Sequence, residues 1–410
     1  MLTKLRYGTD SVVEFDLPDD ALVAHCDAPR GKPIVDVADA MRTALENPLD
    51  FPPLAKSVVP GDKVAIALDY AVPQAGKIVA GIVEALIAAD IQPEDITIVR
   101  TPMDDPSIDP RSALTEDLRS VVGLVTHDPT IRERLSYLGA SNQAKPVYLN
   151  REICEADVVI PVGIARVGSS MGYAGPASGV FPTFSDEPTL QRYRAPRLLD
   201  SAERLEKARA LADEVSWLLG VLFAVQVVPG RFPDVLHIVA GRSDLVYSRS
   251  QELCEAAWRF SVPHRASVVV AAVEGTNGCQ TWDNLARALY AASRSVSEEG
   301  AIVLCTELAA NAGPAIQRLC NAEDVDDVLR EISKERPVDT LVAVELAHAL
   351  QRGPLYLISR LDEALVEDLG IANVTEQEEV ARLVARHDSC ILLANAQHAV
   401  AIPEGEEATI

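Results

Sequence analysis

Two doubly wound, Rossmann-like α/β domains with a cleft between them are the fold class that the sequence predicts, and three observations predict it. Short, wholly apolar runs such as VAIALD and ADVVIPVG recur along the chain, each bounded by polar residues or by Gly and Pro, as strands buried on both faces are. Between several of them apolar residues repeat at helical spacing. The alternation comes in two series, one before and one after residues 261–265, and a chain of 410 residues is ample for two cores.

In chain order, VAIALD from Val64 reads as a strand, residues 77–89 as a helix that buries Ile78, Ile82, Leu86 and Ala89, and residues 96–100 as the next strand. A parallel pair joined through a helix implies a right-handed crossover and a sheet covered on both faces. ADVVIPVG from Ala156 adds another buried strand, and VSWLLGVLFAVQVV from Val215 reads as a helix leading into a strand. The second series runs through residues 267–273, a helix over 282–295, then 301–306, 355–359 and 390–394. The expected division is residues 1–263, residues 264–395 and a tail of residues 396–410. Ligands of open α/β sheets sit beyond the carboxyl ends of strands. The ends to inspect are therefore Asp69-Tyr70, Arg100-Thr101, residues 164–170, Glu274 to Asn277, and Thr306-Glu307.

Composition removes some function classes. With 61 acidic against 37 basic residues and a net charge of −24, the chain lacks the clustered basic surface that phosphate backbones or anionic membranes require. The seven cysteines are widely scattered without a C-x-x-C pair, and read as reduced thiols of a cytoplasmic protein. No apolar h-region opens the sequence, and no run reaches the roughly 20 apolar residues of a membrane span.

An ordered set of motifs carries a more specific signal. LRYG from Leu5, LPDD from Leu17, ALENPLDFPPL from Ala44 and PGDKVAIALD from Pro60 are followed by VYLNREICEADVVIPVG from Val147 and GYAGPASGVFP from Gly172. EGTNGCQTWDNLARALYAA from Glu274 and EEGAIVLCTE from Glu298 complete it. The series resembles the nickel-dependent lactate racemase family over nearly the whole chain. The resemblance implies a site in which a nickel ion held by a pincer nucleotide accepts a hydride from C2 of a 2-hydroxy acid and returns it to either face, with two histidines as acid and base.

The residues for that chemistry are replaced. Where the family has an arginine after its first aspartate-bearing strand this chain has Val72, and the histidine of the family's GTHRP turn is Pro102. The second acid/base histidine maps to Gly168, the lysine that tethers the cofactor to Ser178, and the nickel-ligand histidine to the vicinity of Arg194. The family's glutamine and lysine on the second domain's helix fall at Asn284 and Arg287. Proline and glycine have no side-chain acid or base, serine cannot form the amine-derived link, and arginine stays protonated and is a poor nickel ligand. The expectation is a degenerate site with no nickel pincer nucleotide and no bound metal.

The remaining candidates follow from residue type. The GYAGPASG loop either cradles an anion on its backbone N–H groups or only preserves turn geometry. Arg166, Arg192, Arg194 and Arg287 either meet a carboxylate or phosphate or pair with surface acids; Arg194 and Arg287 rank first, since both fall on aligned functional positions in different domains. The ligand-binding set is Tyr70, Thr101, Ser178, Arg194, Asn284 and Arg287. Tyr173, Asp69 and His127 are the catalytic candidates, although His127 with Asp128 equally fits a loop tie. Three functions remain open: a protein that binds a small anionic molecule such as a 2-hydroxy acid, an isomerase using replacement residues, and a non-catalytic scaffold that forms a homo-oligomer or associates with an active homologue.

Overall fold

The computed structural model describes residues 2–18, 20–103, 108–142, 144–168, 171–172, 175–198 and 201–406. Val64–Leu68 is a strand with every residue buried. Helix Ala75–Ala88 buries Ile78, Ile82 and Leu86 as the spacing predicts, and returns the chain to the parallel strand Ile96–Arg100. On the other side of Val64–Leu68 lies Val158–Ile164, also parallel, so that Leu68 pairs with both Arg100 and Val162. The six-stranded sheet is completed by Gly123–Thr126 at one edge, and by Phe223–Pro229 followed by the antiparallel Val235–Arg242 at the other. Strand order reverses between Val64–Leu68 and Val158–Ile164, which puts the ligand-binding crevice of such a sheet beyond Leu68 and Ile164.

A second six-stranded sheet is parallel throughout, in the spatial order Ala372–Asn373, Leu355–Ile358, Val296–Cys305, Ala266–Ala272, Cys390–Leu393 and Leu22–Cys26. Its reversal lies between Ala266–Ala272 and Cys390–Leu393. Helix Trp282–Ser293 starts where Thr281 accepts the amide hydrogen of Asn284, which satisfies one of the helix's unpaired donors.

The expected division of the chain needs correcting at both ends. Leu22–Cys26 is a strand of the second sheet, and the hairpin Leu2–Tyr7/Ser11–Asp16 lies on that sheet, burying Leu5, Val13 and Phe15 against Val268, Val270 and Leu392. The alternate burial of residues 2–7 explains the placement, because a two-stranded hairpin with one apolar face needs a larger surface to cover it. At the other end, residues 396–403 are not a tail: Val400–Pro403 is a buried strand paired with Arg259–Val262.

The two sheets share apolar packing. Val228 and Leu236 of the first, Ile302 and Leu393 of the second, and Leu285 of helix Trp282–Ser293 belong to one core that includes Trp258, at the end of helix Ser243–Trp258. Arg231 adds a forked ion pair to Glu274 across the domains, at 2.9 and 3.0 Å.

Burial sets one pH response of the fold. Glu345, on helix Thr340–Arg352, is pushed up from 4.5 to about 7 by desolvation alone. A carboxyl with a raised folded pKa contributes no penalty well below pH 4.5, where both states are protonated; the cost grows as pH rises from 4.5 to about 7 and is fully present above that. Glu345→Gln is therefore expected to stabilise the protein by up to about 3 kcal/mol at pH 8 and by almost nothing at pH 4.5. Urea unfolding of parent and variant at the two pH values measures the difference, and an equal effect at both would remove Glu345 as its source.

Candidate functional site

Tyr70 follows the first strand at the reversal point of the first sheet, and Arg287 projects from the second domain's helix. The two meet: Arg287 Nη2 donates to the Tyr70 hydroxyl at 2.5 Å. Arg166, two residues past Ile164, places its guanidinium carbon 5.2 Å from the centre of the Tyr70 ring. Arg166 is 6% exposed, and neither its Nη1 nor its Nη2 has a hydrogen-bond partner; Arg287 Nε has none either. Two guanidinium groups from different domains thus turn unpaired donors into one region. Buried polar groups are seldom left so, and those that are take a water or a ligand.

Two carboxyls share the region. Burial raises the pKa of Asp69, against the attraction of Arg166, while one of its oxygens accepts the Tyr70 amide hydrogen at 2.8 Å. Asp283 is raised in the same way, opposed by Arg287 and then Arg166. Burial also lowers Arg166, reinforced by the like charge of Arg287. For Arg287 burial works against the charge, but Tyr70 and Asp283 outweigh it and its pKa is raised. Asp69, Asp283 and Arg287 keep partial solvent contact although desolvation is the largest influence on each, as is expected at the floor of a cleft.

The last strand of the second sheet adds groups that sequence reasoning missed. His398 is pushed down to about 3 by burial and by the charges of Arg166 and Arg287, so at neutral pH it is an uncharged imidazole with its Nδ1 unpartnered. Asn395 is fully buried with neither amide atom bonded, and Gln397 donates to the Glu274 carbonyl at 2.9 Å while its own oxygen is unpaired. The signal for them was available: Asn395 lies two residues past the strand Cys390–Leu393, and a reading of strand ends extended to that strand reaches His398. Gln280 braces the neighbouring strand ends, donating to the Gly275 carbonyl and accepting from the Thr306 hydroxyl and the Glu307 amide.

Other candidates fall elsewhere. His127 is 1% exposed, contacts the Ser185 carbonyl at 2.9 Å and the Asn150 amide at 3.3 Å, and is lowered by burial; it ties loops together. Arg194 is committed to Glu187 at 2.5 Å, so that Arg166 and not Arg194 is the partner of Arg287. The Ser178 hydroxyl donates to the Gly175 carbonyl at 2.7 Å and accepts from the Gly175 amide at 2.9 Å, which closes the turn on itself. Thr101 is buried with its hydroxyl unpartnered, and Asn284 donates to the Cys279 carbonyl while its side-chain oxygen is unbonded. Tyr173, like Ser169, Ser170 and Ala174, lies outside the described residues. Among the described residues, no three His, Cys, Asp or Glu side chains come together as a metal set, and no helix is long and apolar enough to cross a membrane.

Comparison with solved structures places this architecture. The lactate racemase apoprotein from Thermoanaerobacterium thermosaccharolyticum superposes with a TM-score of 0.77 at 17% identity, covering 98% of this chain and 100% of its own. A crystal structure of a protein from Thermotoga maritima superposes with a TM-score of 0.67 at 12% identity, over 91% of this chain and 99% of its own. The chain has the lactate racemase fold. In sequence, residues 7–204 match the model of the lactate racemase N-terminal domain. No curated protein matches the sequence.

Proposed function

We propose that the interdomain cleft binds a small anionic molecule, a 2-hydroxy acid or a related carboxylate, between Arg166 and Arg287, and does so without nickel-pincer chemistry. The observation that carries this reading is the set of unpaired guanidinium donors contributed by both domains. A carboxylate offers the acceptors such a fork lacks and relieves the repulsion between the two cations. The neutral His398 Nδ1 and the unbonded oxygens of Asn395 and Gln397 suit the hydroxyl donors of the same molecule.

The family's cofactor does not fit the side chains present. Val72 is buried in the first domain's core. Gly168 has φ +81°, and a Cβ there would stand 2.9 Å from the Tyr290 ring, so the space for a histidine is taken. Ser178 is closed on Gly175 and Arg194 on Glu187.

A thermal-shift screen against 2-hydroxy acids, sugar acids, phosphates and nicotinic nucleotides tests the proposal. A carboxylate present at 100 times its Kd is expected to raise Tm by about 3 °C. The shift is expected to vanish in Arg166→Met and to persist in Arg194→Ala. No shift with any of the compounds would count against an anion cleft and favour the scaffold reading.

A further inference from the structure

A cavity of about 330 Å3 under helix Ala202–Leu218 shares no lining residue with the cleft. Val147, Phe181, Ala208 and Leu211 give it an apolar floor, the first three of them buried. Tyr193 stands edge-on to Phe181 with ring centres 5.5 Å apart, and its hydroxyl donates to the Ala208 carbonyl at 3.2 Å, which fixes the aromatic wall. Lys145, Arg192, Arg204 and Lys207 form the rim.

Among the described residues no acidic side chain lines this cavity, in a chain with 61 acidic and 37 basic residues. The contacts of Lys145, Arg192 and Lys207 leave the charge of these three largely in place. Lys207 pairs with Glu203 at 2.7 Å, but both are well exposed, and such a pair is weak and readily exchanged. Arg192 donates to the neutral Thr189 hydroxyl. Lys145 makes no ion pair with a described residue, and its exposed side chain is able to swing toward a bound group. Cations grouped at the mouth of a low-dielectric hollow attract an anion more strongly than the same charges on a flat surface. The volume is that of a small-molecule site.

We propose that this cavity is a second binding site, separate from the cleft, for a small amphipathic anion: a carboxylate or phosphate head held at the Lys145–Arg192–Arg204–Lys207 rim, with an apolar body on the Phe181 and Leu211 floor. The apolar body supplies affinity in proportion to its length, about fourfold per buried methylene. The head fixes orientation and selects against neutral molecules of the same shape.

Calorimetric titration of the full-length chain with octanoate, hexanoate, acetate and octan-1-ol tests the site. Octanoate is expected to bind, hexanoate about fifteenfold more weakly, and acetate and octan-1-ol not measurably. Binding is expected to weaken by about tenfold or more in Ala208→Trp, which fills the floor, and in Lys145→Glu, which reverses an exposed rim charge without touching the core. If Ala208→Trp does not fold, Lys145→Glu and Arg204→Glu decide the matter alone. Octyl phosphate run in parallel separates the two head groups: tighter binding than octanoate marks a phosphate site, and weaker or equal binding a carboxylate site. Absence of octanoate binding, equal affinity for octan-1-ol, or affinity unchanged by the rim and floor substitutions would overturn the proposal. So would loss of octanoate binding in Arg287→Ala together with its retention in Lys145→Glu, because the fatty acid would then occupy the cleft.

Discussion

Replacing Arg287 by alanine is expected to lower the affinity of the interdomain cleft for the carboxylate proposed to bind there by about a hundredfold. Arg287 reaches the site from helix Trp282–Ser293, whose start is fixed by the Thr281 cap, and is held by the Tyr70 hydroxyl of the other domain. Its removal takes away half of the positive charge on which the site depends. It also leaves Asp283 and Asp69 with less compensation, and any carboxylate still ionised there repels an anionic ligand. Arg287→Lys keeps the charge but not the planar fork, and is expected to lose only about tenfold. Titration calorimetry on parent and both variants, with whichever acid gives the thermal shift, orders the three. An alanine variant that binds like the parent would remove Arg287 from the site, whereas an effect confined to Tm would assign it to the joining of the domains.

What the sequence made legible was what local periodicity encodes. The five consecutive buried residues of Val64–Leu68 and the repeat Ile78, Ile82, Leu86 are properties of a few adjacent turns, and the structure follows them. The placement of Leu22–Cys26 beside Cys390–Leu393 is not local: no property of residues 22–26 distinguishes pairing with a distant strand from pairing with the next one. The N-terminal hairpin went to the wrong domain for the same reason. Reading strand ends singled out Asp69 and Tyr70, and resemblance to the family singled out Arg287, which meets Tyr70 in the structure. The family resemblance also promoted Arg194, which is tied to Glu187. Arg166 was visible as a strand-end residue but not as the second half of a pair, since Arg287 reaches its neighbourhood only in the folded protein, from the other domain. His398 was lost among dispersed histidines, because the segment that carries it read as a tail while its true setting is the end of a central strand.

Trp258→Ala is expected to be the most damaging single substitution in the apolar core that joins the domains. Trp258 is fully buried, and its indole N–H donates to the Pro229 carbonyl at 2.8 Å, so the variant both opens a large cavity and leaves a buried acceptor unpaired. The cost is about 4 kcal/mol, which for a chain of this length is a fall in Tm of about 5 °C. Trp258→Phe retains most of the ring volume and loses the hydrogen bond, and should cost about 1–2 kcal/mol. The His398 ring lies 5.6 Å from that of Trp258, so the same cavity loosens a wall of the cleft. Ligand affinity should therefore fall more in Trp258→Ala than in Trp258→Phe, beyond any fall set by unfolding alone. Calorimetric melting with and without ligand separates the two effects, since the ligand-dependent part of the Tm change reports the cleft and the ligand-free part the core. If the alanine variant melts within about a degree of the parent, the packing of Val228 and Leu236 against Trp258 is not what holds the two sheets together, and the Arg231–Glu274 pair and the Tyr70–Arg287 contact carry more of that role than their number suggests.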